Sequence, residues 1–334
     1  MQVHPYARRA LLRRGSAAIA TLLTLGIGKG AGAQPLAEQL HMLCSGPPGS
    51  IPDIVARRVA EQLSARHAQR VLVENRAGAA GQIAVGALKS APADGSTILL
   101  AQGAVATVYP YLYAKLAYDP AVDLQPVSLA AEMTLGLAVG PAVPGSVANV
   151  RELVEWMRRN PKLANVGSPG TGTLPHLLEV ILFRAADVPW QHIVYSGGPP
   201  AMVDLLGGQI AALSLPEGLL RQHRAAGRLR VLATSGAQRS AYLPDVATFG
   251  EQGYADLVVR EWFAFFMSGR VAAASIEAVS QALRQAIARP ELAAAFAESG
   301  MVPAASTPTA LAARIATEQS YWENVVRASG IRLE

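Results

Sequence analysis

One cysteine, Cys44, stands in 334 residues, so no internal disulfide can form. It falls in an apolar strand pattern, where a free thiol behaves as a small buried hydrophobe. Charge is sparse: 16% of residues are charged against 51% hydrophobic, which excludes a disordered chain and points to a globular one. His41, His67, His176, His192 and His223 are scattered, so no metal-ligand spacing exists and no cofactor is expected. No G-x-S-x-G elbow occurs, and no Walker A loop past the first 33 residues. The apolar run Ala17 to Ile27 is too short to span a bilayer.

Residues 1–33 read as a signal peptide. Arg8-Arg9 opens a basic segment close to a twin-arginine pattern, and Ala31-Gly32-Ala33 is an A-x-A cleavage site before Gln34. Both the Sec and the twin-arginine route fit, and the expected location is the periplasm. This leader holds Arg8, Arg9, Arg13, Arg14 and Lys29 and no acid. Removing it takes Lys+Arg from 29 to 24 against 24 Asp+Glu, so the mature net charge is 0. The basic balance belongs to the leader and gives no support for nucleic-acid binding.

The stretch that organises the chain is Leu43 to Arg58, LCSGPPGSIPDIVARR. An apolar strand turns through Gly and Pro into a helix, with Ser50 as N-cap, Asp53 completing a capping box and Pro52 in the first turn. Such a turn aims N–H groups and a positive dipole end at whatever lies above it, an anion site in outline. A second stretch repeats the pattern. Gly49-Ser50-Ile51-Pro52-Asp53-Ile54 matches Gly172-Thr173-Leu174-Pro175-His176-Leu177 as Gly, hydroxyl, aliphatic, Pro, polar, aliphatic, about 120 residues on, close to one domain's worth of chain. Two copies on two domains would face each other across a cleft.

Elsewhere strands alternate with helices, which predicts α/β architecture with parallel strands. Asn75 to Gly81 reads as a Gly-rich turn that lets a helix pack closely. Tyr109, Tyr111, Tyr113 and Tyr118 either wall a cleft or pack under a loop. Val127–Ala130 and Leu135–Val139 read as two strands, the second crossing into another domain, and Trp262–Met267 as the return. The expected organisation is residues 34–136 plus 262–334 as domain 1 and 137–261 as domain 2.

With Pro47-Pro48-Gly49 ahead of Asp53, Val73 to Gly81, Gly170 to His176 and Trp262-Phe263 in this order, the chain resembles the periplasmic solute-binding receptors of tripartite tricarboxylate transporters, the Bug family. The resemblance is carried by Pro47-Pro48-Gly49 with Asp53 and Ala56-Arg57, by Val73 to Gly81, and by Ala91 to Gly95. It continues through Tyr113 to Asp119, Gly170 to His176, Tyr195 with Gly197, Asp204 to Gln209, Leu243 to Val246, Gly253 and Trp262-Phe263. It implies a two-domain periplasmic-binding-protein-like (type II) fold, each domain a mainly parallel sheet flanked by helices, closing on a small carboxylate in the cleft between. It also implies a monomer that hands its ligand to membrane permease subunits, without chemistry on it. Carried over position by position, the ligand-binding residues are Gly46, Pro48, Gly49, Ser50, Ile51 and Asp53 in the first loop. In the second they are Ser168, Gly170, Thr171, Gly172, Thr173 and His176, with Tyr195 and Gly197 beyond.

The chain departs from the family pattern at Ser50-Ile51-Pro52 and Leu174-Pro175. Each proline removes an N–H donor, and Ile51 and Leu174 bring aliphatic groups. Either the ligand is less hydrophilic than citrate, an aromatic or short aliphatic acid, or these side chains point into the domains and the ligand is an ordinary di- or tricarboxylate. Ser50 and Thr173 can cap their helices, donate to the ligand, or both. Two further readings stand beside transport: a sensor signalling to a membrane partner, and an enzyme using Asp53 and His176 as an acid–base pair across the cleft.

Overall fold

The computed structural model describes residues 39–67, 70–255 and 257–334; the leader and its cleavage site lie outside them. The chain enters with β1 (Gln39–Cys44), turns into α1 (Ile51–His67) and continues through β2 (Arg70–Asn75), α2 (Gln82–Ser90) and β3 (Thr97–Gln102). Three short helical turns follow, α3 (Ala104–Thr107), α4 (Tyr109–Leu112) and α5 (Pro120–Asp123), then the long strand β4 (Leu124–Val139). Next come α6 (Val150–Arg159), β5 (Asn165–Ser168), α7 (Leu174–Ala185), β6 (Gln191–Val194), α8 (Gly198–Leu206), β7 (Ala212–Pro216), α9 (Glu217–Ala225) and β8 (Arg230–Thr234). The chain returns along β9 (Arg260–Ser268) and ends with α10 (Ala273–Ile287), α11 (Pro290–Glu298), β10 (Val302–Pro303) and α12 (Pro308–Ser329).

The sheet runs β2-β1-β3-β9-β4-β7-β5-β6, with β10 and β8 also on β4. Its outer strands are parallel, β2 with β1 with β3 and β7 with β5 with β6, as crossover helices require. The two long strands break that pattern, because β9 is antiparallel to both β3 and β4. β4 changes partners along its length. Leu124 to Thr134 pairs with β9, whereas Leu135 to Val139 pairs with β7 and β8. One strand therefore serves both halves of the sheet, where the sequence pattern suggested two. Glu132 and Thr134 interrupt the apolar run, yet the strand continues because the Glu132 carboxylate is held by Arg314 and Arg260.

One apolar cluster runs through both halves, from Leu99, Tyr109 and Leu112 to Leu153, Leu174 and Phe183, and each half adds a further cluster. In the first, Ile51, Val55, Val59 and Leu63 recur at helical spacing on α1 and pack with Ile276, Val279 and Leu283 of α10 over the sheet. In the second, Met202 and Leu205 of α8 and Leu220 of α9 cover Leu213 and Leu215 of β7. Among the described residues, no helix is long and apolar enough to cross a membrane.

Candidate functional site

The twin loops seen in the sequence have the same three-dimensional build. Gly49 and Gly172 have φ of +76° and +83°. Glycine is needed there because a side chain is strained in the left-handed region. The next residue folds its hydroxyl back onto the carbonyl three residues earlier. Ser50 Oγ donates to Pro47 O at 2.6 Å, and Thr173 Oγ1 to Gly170 O at 2.7 Å. Their own N–H groups reach the same carbonyls, at 3.2 and 3.3 Å. Three residues further on, a side chain ties the loop to the helix. Asp53 Oδ2 accepts from Gly49 N–H at 2.9 Å, and His176 Nδ1 from Gly172 N–H at 3.1 Å.

This corrects the capping-box expectation. Neither hydroxyl caps its helix: each locks the turn, and Asp53 reaches the N–H of Gly49 instead of that of Ser50. The N–H groups of Ile51, Asp53, Leu174 and His176 thus have no hydrogen-bond partner among the described residues. First-turn N–H groups point out along the helix axis. Pro52 and Pro175, each second in its helix, have none to give.

The two loops border one cavity of about 680 Å3, within the size range of small-molecule sites. Of the residues expected at a site, Gly46, Ser50 and Ile51 line it from the first loop, and Gly170, Thr171 and Thr173 from the second. Tyr195 and Gly197 line it from the loop before α8. Pro48, Gly49, Asp53, Ser168, Gly172 and His176 are not on its wall. Their places follow from their bonds. Asp53 is turned to Arg57 and Asn75, at 2.9 and 2.8 Å. Burial raises its pKa, but Arg57, the Gly49 N–H and Asn75 together hold it below the ordinary carboxylate value. Ser168 lies under the loop, 2.7 Å from His192 Nε2. His176 stacks on His192 with ring centroids 4.0 Å apart. Burial, and then His192, lower its pKa to about 3, so it is neutral. Asp53 and His176 each serve their own loop, and no acid–base pair forms across the cleft.

The apolar substitutions divide. Ile51, Pro52 and Pro175 line the cavity, whereas Leu174, 3% exposed, packs in the core beneath it. The tyrosines divide too. Tyr109 and Tyr118 are buried in the core, while Tyr113 lines the cavity and donates to Thr171 O at 3.0 Å, a bond between the two walls.

Several wall residues were not anticipated. The turn Gly78–Gln82 lines the cavity ahead of α2, with Ala79 and Ala80 at φ of +44° and +50°. Its Ala80 carbonyl accepts from Gln102 and from Tyr109, which pin the turn in place. The signal was the run of glycines before a helix, the same cue used for the two loops. Lys115, Glu261 and Phe263 also line the cavity. The N-termini of α1, α2, α7 and α8 all border it, so four positive dipole ends converge there.

The description "tripartite tricarboxylate transporter family receptor" (TctC) matches residues 55–331. Protein BugT of Bordetella pertussis is 31% identical over 299 residues, 89% of this chain and 91% of that protein. A solved structure described as a periplasmic transporter superposes with a TM-score of 0.82 at 28% identity, covering 89% of this chain and 98% of that one. The periplasmic binding protein BugD superposes at 0.83 with 26% identity, covering 89% and 99%.

Proposed function

This chain belongs to the receptor family of the tripartite tricarboxylate transporters, the Bug family, and from that premise we propose that it captures a small carboxylate in the periplasm and delivers it to a membrane permease. One observation carries the reading. The N-termini of two helices entered by loops of the same build border a single cavity, through Ser50 and Ile51 on one wall and Thr173 and Pro175 on the other. An anion there meets two positive dipole ends, each contributing about 0.3–1 kcal/mol at the surface and more once water is excluded. No nucleophile or metal is needed for such binding, and the ligand leaves unchanged.

We assign the division between the two moving parts to residues 34–136 plus 262–334 and 137–261, because β4 exchanges its partners at Thr134–Leu135 and β9 begins beside that point. Ligand held by both walls favours the closed arrangement. Ile51, Pro52, Pro175 and Phe263 give the cavity apolar surface, which favours an acid with an apolar body, aromatic or aliphatic, over citrate.

The test is a thermal-shift screen of the mature protein against mono-, di-, tri- and aromatic carboxylates. A ligand at 100 times its dissociation constant stabilises the fold by about 2.7 kcal/mol. No stabilisation across the panel would overturn the reading. Delivery is tested separately, by loss of uptake of the bound acid on deleting the gene.

A further inference from the structure

Most buried polar side chains on the cavity wall are already engaged. Ser45 donates to Gln102 at 2.9 Å, Gln102 to Ala80 O, and Ser50 and Thr173 to their own loops. Glu261 is different. It lines the cavity, is 4% exposed, and its Oε1 has no hydrogen-bond partner among the described residues. Rotation about its last carbon–carbon bond exchanges the two oxygens, so either can meet a ligand.

The charges around Glu261 are accounted for. On α12, Glu318 receives Trp262 Nε1 at 2.8 Å and Arg314 Nε at 2.8 Å. Arg314 also binds Glu132 on β4, and Arg260 binds the other oxygen of Glu132. On α4, Tyr109 spends its hydroxyl on Ala80 O. Lys115 lies on the wall but is exposed. No protein cation is therefore bonded to this carboxyl. Burial first, and then the negative Glu318, raise its pKa to about 8, so it holds its proton at neutral pH. A buried carboxyl without a cation is costly to ionise, and a cation delivered beside it reverses that cost.

We propose that the ligand carries a cationic nitrogen besides its carboxylate, and that Glu261 receives that nitrogen while the helix N-termini receive the carboxylate. This rests on the carboxylate reading above and narrows it to zwitterionic acids. Binding is then coupled to a proton. The ligand brings one positive charge to Glu261, and the Glu261 proton leaves to solvent, so charge balances.

Matched ligand sets test this on the mature protein. Each set keeps one carboxylate and places an ammonium, a methyl or a second carboxylate at the far end. The aliphatic sets are 3-aminopropanoate, butanoate and succinate; 4-aminobutanoate, pentanoate and glutarate; and 5-aminopentanoate, hexanoate and adipate. The aromatic set is 4-(aminomethyl)benzoate, 4-ethylbenzoate and 4-(carboxymethyl)benzoate. In at least one set the ammonium member should bind tenfold or more tighter than its methyl partner, and Glu261→Gln should bring that ratio near one. Calorimetry of the unaltered protein at pH 7, in buffers of different ionisation enthalpy, gives a readout that needs no variant. Close to one proton should be released with the ammonium member and none with the methyl member.

Equal binding of ammonium and methyl members, or no proton release, overturns the proposal and leaves the carboxylate receptor standing. Preference for the dicarboxylate, lost in Glu261→Gln, also overturns it and makes Glu261 a proton donor to a second carboxylate. Binding by no member of any set, nor by any acid of the wider screen, removes the carboxylate reading itself and this proposal with it.

Discussion

His176 ties the second loop through an acceptor nitrogen, which works only while the ring is unprotonated. Its pKa of about 3 lies below the ordinary histidine value, so the unfolded chain binds a proton that the folded chain refuses. The sign follows: this contribution to stability is complete above about pH 6.5 and is lost progressively as pH falls toward 3, by up to about 1.4 kcal/mol per pH unit. Urea unfolding at pH 7 and pH 5 should show the loss. His176→Gln, which keeps an acceptor for the Gly172 N–H, should flatten that part of the profile; an unchanged acid slope would contradict it. Tyr113 acts at the same scale. Its hydroxyl joins the two walls through Thr171 O at 3.0 Å. Tyr113→Phe removes one hydrogen bond of about 0.5–1.5 kcal/mol and should weaken ligand binding by about 2- to 10-fold. Its melting temperature without ligand should hardly move.

At the scale of the element, the strand–turn–helix unit that borders the cavity occurs twice. An acid placed at either hydroxyl position puts a negative charge at a helix N-terminus to which the proposal assigns the ligand carboxylate. Ser50→Asp and Thr173→Asp should each abolish carboxylate binding, read by loss of the thermal shift, while far-UV circular dichroism is retained. Wild-type affinity in either would move the site elsewhere. The units were legible in the sequence because Gly, hydroxyl, Pro and a polar acceptor are local requirements of this turn. What the hydroxyls bond to was not legible, since Ser50 has an N-cap's identity but a turn lock's geometry. β4 was read as two strands because Glu132 and Thr134 are polar, and the cations that let Glu132 stay in a sheet come from β9 and α12. Glu261 left no local trace. It is the second residue of the apolar strand β9, and only the packing of α12 and the cavity shows that its Oε1 has no partner among the described residues. The turn at Gly78–Gln82 was recognised as glycine-rich, but that it reaches the cavity depends on where Gln102 and Tyr109 hold it.

For the whole molecule the question is what the close approach of the two walls contributes. In this structure a Cβ added at Gly197 would stand 2.6 Å from Pro47 Cγ on the opposite wall. Gly197 also has φ of +140°, so a side chain there is strained in the backbone as well. Gly49 separates the two effects, because it has φ of +76° but nothing within 4 Å of an added Cβ. Gly49→Ala should therefore cost stability, about 1–2 kcal/mol, yet leave closure intact. Gly197→Ala should in addition oppose closure, since opening the cleft relieves the overlap with Pro47 but not the strain. A closed state made less favourable by about 2.7 kcal/mol raises the apparent dissociation constant about 100-fold. Small-angle scattering reads the difference directly. Ligand should reduce the radius of gyration of the unaltered protein and of Gly49→Ala, and reduce it less or not at all in Gly197→Ala. Equal contraction in all three would mean that the Gly197–Pro47 approach is incidental to closure and that the cleft shuts about other contacts.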